Sequence, residues 1–236
     1  ACLGSYRPLH LFSWIKKFKS LSGFEDIFTR QVKEVKQELI LRKSIPQLKP
    51  IRKKVSLSVQ EQYENNPYPR WISTRLTKKP LSMIQLASLL EFDMIETQSS
   101  FSEKPQILVA GCGTGRQPLG IASRIKDCKV TAIDLSLSSL SYAKRKTLEY
   151  GFKNIDYIQG DILDLANSDK QYDIVESVGV LHHMEKPMVG WKILTRCLNP
   201  GGLMKIGLYG ETSRKHIVKA RDIISKLKLG TSHHEM

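Results

Sequence analysis

The stretch QILVAGCGTGRQ, residues 106–117, constrains the fold of this chain more than any other. An apolar run leads into three glycines set one residue apart, Gly111, Gly113 and Gly115. A buried strand that turns on glycines into a helix presents backbone N–H groups and a helix N-terminus. Bulky side chains there would block close approach of a ligand. The pattern predicts a nucleotide-type cofactor at the end of a parallel strand. A dinucleotide fingerprint needs its third glycine at position 116, and the chain has Arg116 there.

Strand and helix patterns alternate from this point on. Strands are predicted over PQILVAG, 128–134, 155–161, 172–180 and 203–210. Helices are predicted over RQPLGIASRIK, 136–151, a segment from 185 that runs to NPGG, and 213–228. Such alternation marks an α/β fold, a doubly wound and mostly parallel sheet covered on both faces. The N-terminal part reads differently. Residues 23–43 place Phe24, Ile27, Phe28, Val32, Val35 and Leu39 at three- and four-residue steps, one apolar helical stripe. Pro46 and Pro50 make residues 44–54 a linker. A short helix over 56–66, capped by Ser56 or Ser58, and a helix over 79–92, with Pro80 in its first turn, complete the reading.

The spacing G-C-G-T-G resembles the first motif of class I S-adenosylmethionine-dependent methyltransferases, and four further segments match that family in order. They are Asp134 at the end of the second strand, GDI at 160–162, VGVLHHM at 178–184 and LNPGG at 198–202. The resemblance implies a Rossmann-like fold and S-adenosyl-L-methionine as cofactor. The implied cofactor-binding residues are Gly111, Cys112, Gly113, Thr114, Gly115, Asp134, Leu135, Asp161, Ile162, Glu176 and Val178. Asp134 would take both ribose hydroxyls, because a carboxylate accepts two hydrogen bonds at once. Asp161 would hold the adenine amino group, with Ile162 packed by the ring. His182 and His183 are the candidate general bases, and adjacent residues of an extended segment point to opposite sides, so one at most faces the site. Many family members carry an acid two residues before the first glycine, near the methionyl amine of the cofactor. Here that place is Val109, and Glu64 or Glu176 is the candidate replacement.

QYENNPYPRW, residues 62–71, is the most unusual stretch outside the sheet. It differs from the N-P-P-Y motif of amino-group methyltransferases in lacking consecutive prolines and in lying before the first strand. It resembles the segment preceding the methyltransferase domain of uncharacterised bacterial proteins that often carry tetratricopeptide repeats upstream. Tyr63, Tyr68, Arg70 and Trp71 are the candidate lid residues. Arg70 is placed over the methionyl carboxylate because a guanidinium forks onto a carboxylate. The alternative is a rigid linker that packs Trp71 onto the sheet.

The expected organisation is therefore a helical segment and linker at 1–55, a helical cap at 56–104 and a cofactor-binding domain at 105–236. The family sheet has seven strands, and only a helix and the tail GTSHHEM follow the fifth strand here, so a fragment without the closing hairpin is expected, ending at an exposed sheet edge. His233 and His234 read as tail residues, not as a metal site. The 37 Lys and Arg against 23 Asp and Glu give a net charge of +14, concentrated before residue 80. That permits a nucleic-acid partner without any recognised binding motif, and a small-molecule methyl acceptor is favoured. The scattered Cys2, Cys112, Cys128 and Cys197 suit a reducing cytoplasm, and LHLFSWI is too short to span a bilayer. The rival functions are an NAD(P)-dependent oxidoreductase, a non-catalytic scaffold and an RNA or protein methyltransferase.

Overall fold

The computed structural model describes residues 2–18, 22–91, 102–210 and 212–227. Its sheet contains β1 (Gln106–Ala110), β2 (Lys129–Asp134), β3 (Ile155–Gln159), β4 (Tyr172–Val178) and β5 (Leu198–Gly207). The order is β3-β2-β1-β4-β5 and every pairing is parallel. In central β1, Ile107, Leu108, Val109 and Ala110 are completely buried. Alternate residues serve opposite layers. Ile107 and Val109 pack with Leu119, Val130 and Ala132, whereas Leu108 and Ala110 pack with Ile133, Val175 and Leu194. Burial on both faces is why this strand is a continuous apolar run.

The helices are α1 (Cys2–Tyr6), α2 (Glu25–Phe28), α3 (Glu34–Arg42), α4 (Lys54–Asn65), α5 (Met83–Leu89), α6 (Arg116–Arg124), α7 (Leu137–Glu149), α8 (Pro187–Arg196) and α9 (Lys215–Lys226). Residues of α6 and α7 cover the Val109 face, and those of α8 cover the Leu108 face.

The N-terminal elements differ from the sequence expectation. Residues 25–42 form α2, a π-helical turn over Thr29–Lys33, and α3. Of the expected apolar stripe, Val32 is buried, but Phe24 and Leu39 are exposed. The buried position of α3 is Glu38, because α3 docks on α7 through the guanidinium of Arg145. Helix α4 starts at Lys54 with no side-chain cap, so neither Ser56 nor Ser58 caps it. Helix α5 starts only at Met83. Ser82 accepts from the Gln85 N–H and Gln85 accepts from the Ser82 N–H, a reciprocal capping box that excludes Pro80 from the helix.

Two connections also differ. The linker contributes a parallel bridge between Gln47 and Gln159, with Gln159 donating to Pro46 and Leu48 donating to Gln159. It thus covers part of the otherwise open β3 edge. LNPGG belongs to β5 and not to the preceding helix. Leu198 pairs with Tyr172 and Leu203 with Ile174, and the residues between form an irregularity that accommodates Pro200 on an edge strand. Helix α9 has no buried residue. His233 and His234 lie outside the described residues.

Candidate functional site

The strand order reverses between β1 and β4, and a crevice opens there beyond the carboxyl ends of the strands. A cavity of about 770 Å³ occupies it. The glycine loop forms its floor. A Cβ at Gly111 would come within 2.3 Å of Val180, and one at Gly115 within 2.5 Å of Ala143. Both residues also have φ near +80°, 77° and 83°, so glycine is required there by conformation and by space.

Asp134 holds this loop in place. Its Oδ2 accepts from the Gly113 N–H at 2.8 Å, and its Oδ1 accepts from the Ser136 N–H at 3.0 Å. Each oxygen can accept a further hydrogen bond. Burial pushes the Asp134 carboxyl up, opposed by its backbone hydrogen bonds. Asp161, at 7% exposure, accepts from the Leu163 N–H at 3.0 Å and from Ser56 Oγ at 2.5 Å. The latter bond ties α4 to the far end of the cavity. Cys112 sits in the loop with its thiol pushed well up, first by burial and then by the Asp134 charge, so it stays protonated and unreactive.

Among the expected residues, Gly111, Cys112, Gly113, Thr114, Asp134, Leu135, Asp161, Ile162 and Val178 line the cavity, as do Tyr63, Tyr68 and His183. Gly115 lies behind the loop against α7, where it accommodates Ala143. His182 and His183 lie on a 3-10 turn, Leu181–His183, and not on an extended segment. The His182 ring is stacked 3.9 Å from Tyr209 and 4.3 Å from His183. His183 lies 6.5 Å from Tyr63 and 6.4 Å from Tyr209, centroid to centroid. Burial lowers both imidazole pKa values. The next contribution comes from His183 for His182, and from the Arg214 and Arg221 charges for His183. Both rings are therefore neutral at pH 7.

Three expectations are corrected. Arg70 does not face the cavity. Its Nη2 is 3.2 and 3.4 Å from the two Glu38 oxygens, and its guanidinium lies 4.6 Å from the Tyr142 ring. Trp71 is buried in the main core. Its Nε1 donates to the Thr114 carbonyl at 3.0 Å, while Thr114 Oγ1 donates to the Pro69 carbonyl at 2.6 Å. The NPYPRW segment is thus bonded to the glycine loop as a wall, with only Tyr68 and Pro69 of PYPRW at the cavity. Glu64 is engaged by Arg42, by Ser136 Oγ at 3.0 Å and by the Ser138 N–H at 3.1 Å, at the N-terminus of α7 and away from the cavity. An outward Arg70 makes a clear prediction. Arg70→Ala should leave S-adenosylhomocysteine affinity unchanged in titration calorimetry and cost about 1 kcal/mol of stability or less, since its partner contact is half exposed. A large loss of affinity would contradict the outward placement.

Ser56, Val59, Gln117, Met184 and Tyr209 also line the cavity and were not anticipated. Gln117 had a readable signal, its place on the second residue of the helix that follows the glycines. The α4 residues had none, because nothing local shows which helix folds back over the crevice.

Comparison with known proteins agrees with this geometry. The family described as "Methyltransferase domain" matches residues 107–202, from β1 into β5. The ubiquinone biosynthesis O-methyltransferase of Marinobacter nauticus is 32% identical over 168 residues, 69% of this chain and 68% of that protein. The chain belongs to the class I S-adenosylmethionine-dependent methyltransferases. An uncharacterized protein of Synechococcus sp. is 35% identical over 53% of this methyltransferase chain and 30% of its own length. A solved structure of the N-methyltransferase NodS of Bradyrhizobium japonicum with S-adenosyl-L-homocysteine is 20% identical, with TM-score 0.43, over 48% of this chain and 57% of that one. The methyltransferase chain spans less than half of the first two curated relatives' own lengths, 30% and 40%.

The cavity suits the family's cofactor, S-adenosylmethionine. Two carboxylates, Asp134 and Asp161, stand at the ends of adjacent strands where a nucleoside needs acceptors, and the glycine loop leaves room for it. Among the described residues no helix is long and apolar enough to cross a membrane.

Proposed function

We propose that the chain transfers a methyl group from S-adenosylmethionine to a hydroxyl oxygen of a flat small-molecule acceptor. The observation that carries this reading is the aromatic part of the cavity wall, where Tyr63 and Tyr209 flank His183 at centroid distances of 6.5 and 6.4 Å. Aromatic walls favour a planar, largely apolar molecule. A hydroxyl arrives protonated, and a neutral imidazole at the wall is the group able to accept that proton. The relatives named ubiquinone biosynthesis O-methyltransferase, of which the Marinobacter nauticus protein is one, also support an oxygen acceptor.

In this reading Asp134 takes the ribose hydroxyls, Asp161 the adenine amino group, and Leu135, Ile162 and Val178 pack against the nucleoside. Helix α4 and the Tyr68–Pro69 wall act as the cap and exclude water. The cofactor's sulfonium supplies an electrophilic methyl group. The protein's task is alignment, which can contribute roughly 7–11 kcal/mol in the best cases. His182 holds the His183–Tyr209 wall together and takes no proton itself.

Thermal unfolding with added ligand tests the cofactor assignment. S-adenosylhomocysteine at ~100 times its dissociation constant should add about 2.7 kcal/mol of stability. NADH should add nothing. A shift with NADH and none with S-adenosylhomocysteine would overturn the reading.

A further inference from the structure

We propose that Gln117 and the buried carboxylate of Glu176 hold the positively charged amino end of the cofactor, in place of the acid missing at Val109. The proposal rests on the cofactor reading above.

Asp134 and Asp161 stand at the β2 and β3 side of the cavity, so the nucleoside lies there. The cavity continues past the glycine loop to Gln117 and Gly179, over β1 and β4, and the amino-acid end lies in that part. Val109 pairs with Glu176 across β1 and β4, and Glu176 pairs with Lys205 across β4 and β5. Register partners in a parallel ladder share a face. Val109 packs in the core cluster that contains Leu119 of α6, so Glu176 is on the α6 face of the sheet, behind the cavity wall, where Gln117 of α6 reaches its carboxylate. Adjacent strands lie about 4.8 Å apart. The acid absent from β1 is therefore present one strand over, on the same face and at the same level.

The burial of Glu176 calls for a ligand of opposite charge. Its side chain is 8% exposed, and a carboxylate out of water is costly unless its charge is matched. It has two hydrogen-bond partners among the described residues, both on Oε1. One is the neutral amide of Gln117, Nε2 at 3.3 Å, and the other is Lys205 Nζ at 2.9 Å. The Lys205 side chain is 65% exposed, so it matches the charge only from the solvent side. Because Gln117 donates to Glu176 through Nε2, its Oε1 is left as an acceptor at the cavity wall. An alkylammonium offers three donors and a positive charge. Gln117 Oε1 contacts it, and Glu176 directly behind fixes the amide and supplies the counter-charge.

Calorimetry with two ligands tests this on the 236-residue chain. S-adenosylhomocysteine has the amino-acid end, and 5′-methylthioadenosine carries only a methyl group beyond the sulfur. Glu176→Gln and Gln117→Leu should each weaken S-adenosylhomocysteine by about tenfold or more, the scale of one charge-assisted hydrogen bond. Both should leave 5′-methylthioadenosine unchanged. Lys205→Met, which removes the competing cation from Glu176 Oε1, should not weaken S-adenosylhomocysteine and should leave 5′-methylthioadenosine unchanged. Equal losses on the two ligands, or no loss with S-adenosylhomocysteine, would overturn the proposal. If Glu176→Gln does not fold by circular dichroism, Gln117→Leu carries the comparison alone. Failure of the wild type to bind either ligand overturns the cofactor reading, and this proposal with it.

Discussion

Asp134→Asn should weaken binding of S-adenosylhomocysteine by ~100-fold. A hydrogen bond from a ribose hydroxyl to a carboxylate contributes about 1.5–3 kcal/mol; Asn keeps one oxygen, so one such bond is lost and the other loses its charge, for roughly 2–4.5 kcal/mol. The substitution does more than remove charge. Asp134 uses one oxygen for the Gly113 N–H and the other for the Ser136 N–H. An amide has only one oxygen, so its NH₂ must face one of these donors, and the glycine loop loses a tether whichever way the amide turns. The wild type should also show a pH dependence that the variant lacks. Burial raises the Asp134 pKa in the folded chain. The ribose hydroxyls bind the ionised form, so affinity is full above that raised pKa and is lost as pH falls through it. The loss should begin at a higher pH than the ordinary Asp range would give. Calorimetry across pH, with circular dichroism to confirm folding, reads both effects. An Asn variant within threefold of the wild type would remove Asp134 from the cofactor site.

The parts of this protein that were legible in its sequence are those set by local rules. A parallel strand entering a glycine turn demands apolar residues, then residues able to adopt positive φ, and both demands are met within residues 107–115. The alternation that follows fixes the layers of the sheet and so places Asp134 and Asp161 at strand ends. What was not legible depends on distant partners. The stripe on residues 23–43 has helical periodicity, but its docking face is decided by Arg145, more than a hundred residues away, which draws Glu38 inward and leaves Leu39 in solvent. Arg70 stands out as a cation among aromatic residues, yet its direction follows from the same Glu38. From the sequence, Glu64 and Glu176 are equal candidates to replace the acid at Val109, and only the strand register, which sets Glu176 beside Val109, separates them.

That buried ion cluster should dominate stability outside the sheet. Arg145 is 3% exposed, and its Nε donates to Glu38 Oε1 at 2.9 Å. Its Nη1 donates to Glu149 at 3.1 Å. Its Nη2 lies 3.1 Å from Glu34 Oε2 without the alignment of a hydrogen bond, so that contact is one of charge alone. Arg145→Met keeps much of the volume but leaves Glu38 buried with only the half-exposed Arg70 beside it. Breaking a buried pair from one side costs about 3–5 kcal/mol. For a chain of this size each kcal/mol lowers Tm by about 2–4 °C, so a fall of roughly 6–20 °C is expected. Adding Glu38→Gln to Arg145→Met should recover part of the loss, because the stranded charge goes with it. A double variant as unstable as the sum of the two single changes would show that Arg145 and Glu38 are not coupled. The consequence reaches the cavity, because α3 also carries Arg42, which pairs with Glu64 of α4, and α4 carries Ser56 to Asp161. Loosening α3 from α7 should therefore weaken S-adenosylhomocysteine binding in Arg145→Met even at temperatures where the sheet remains folded.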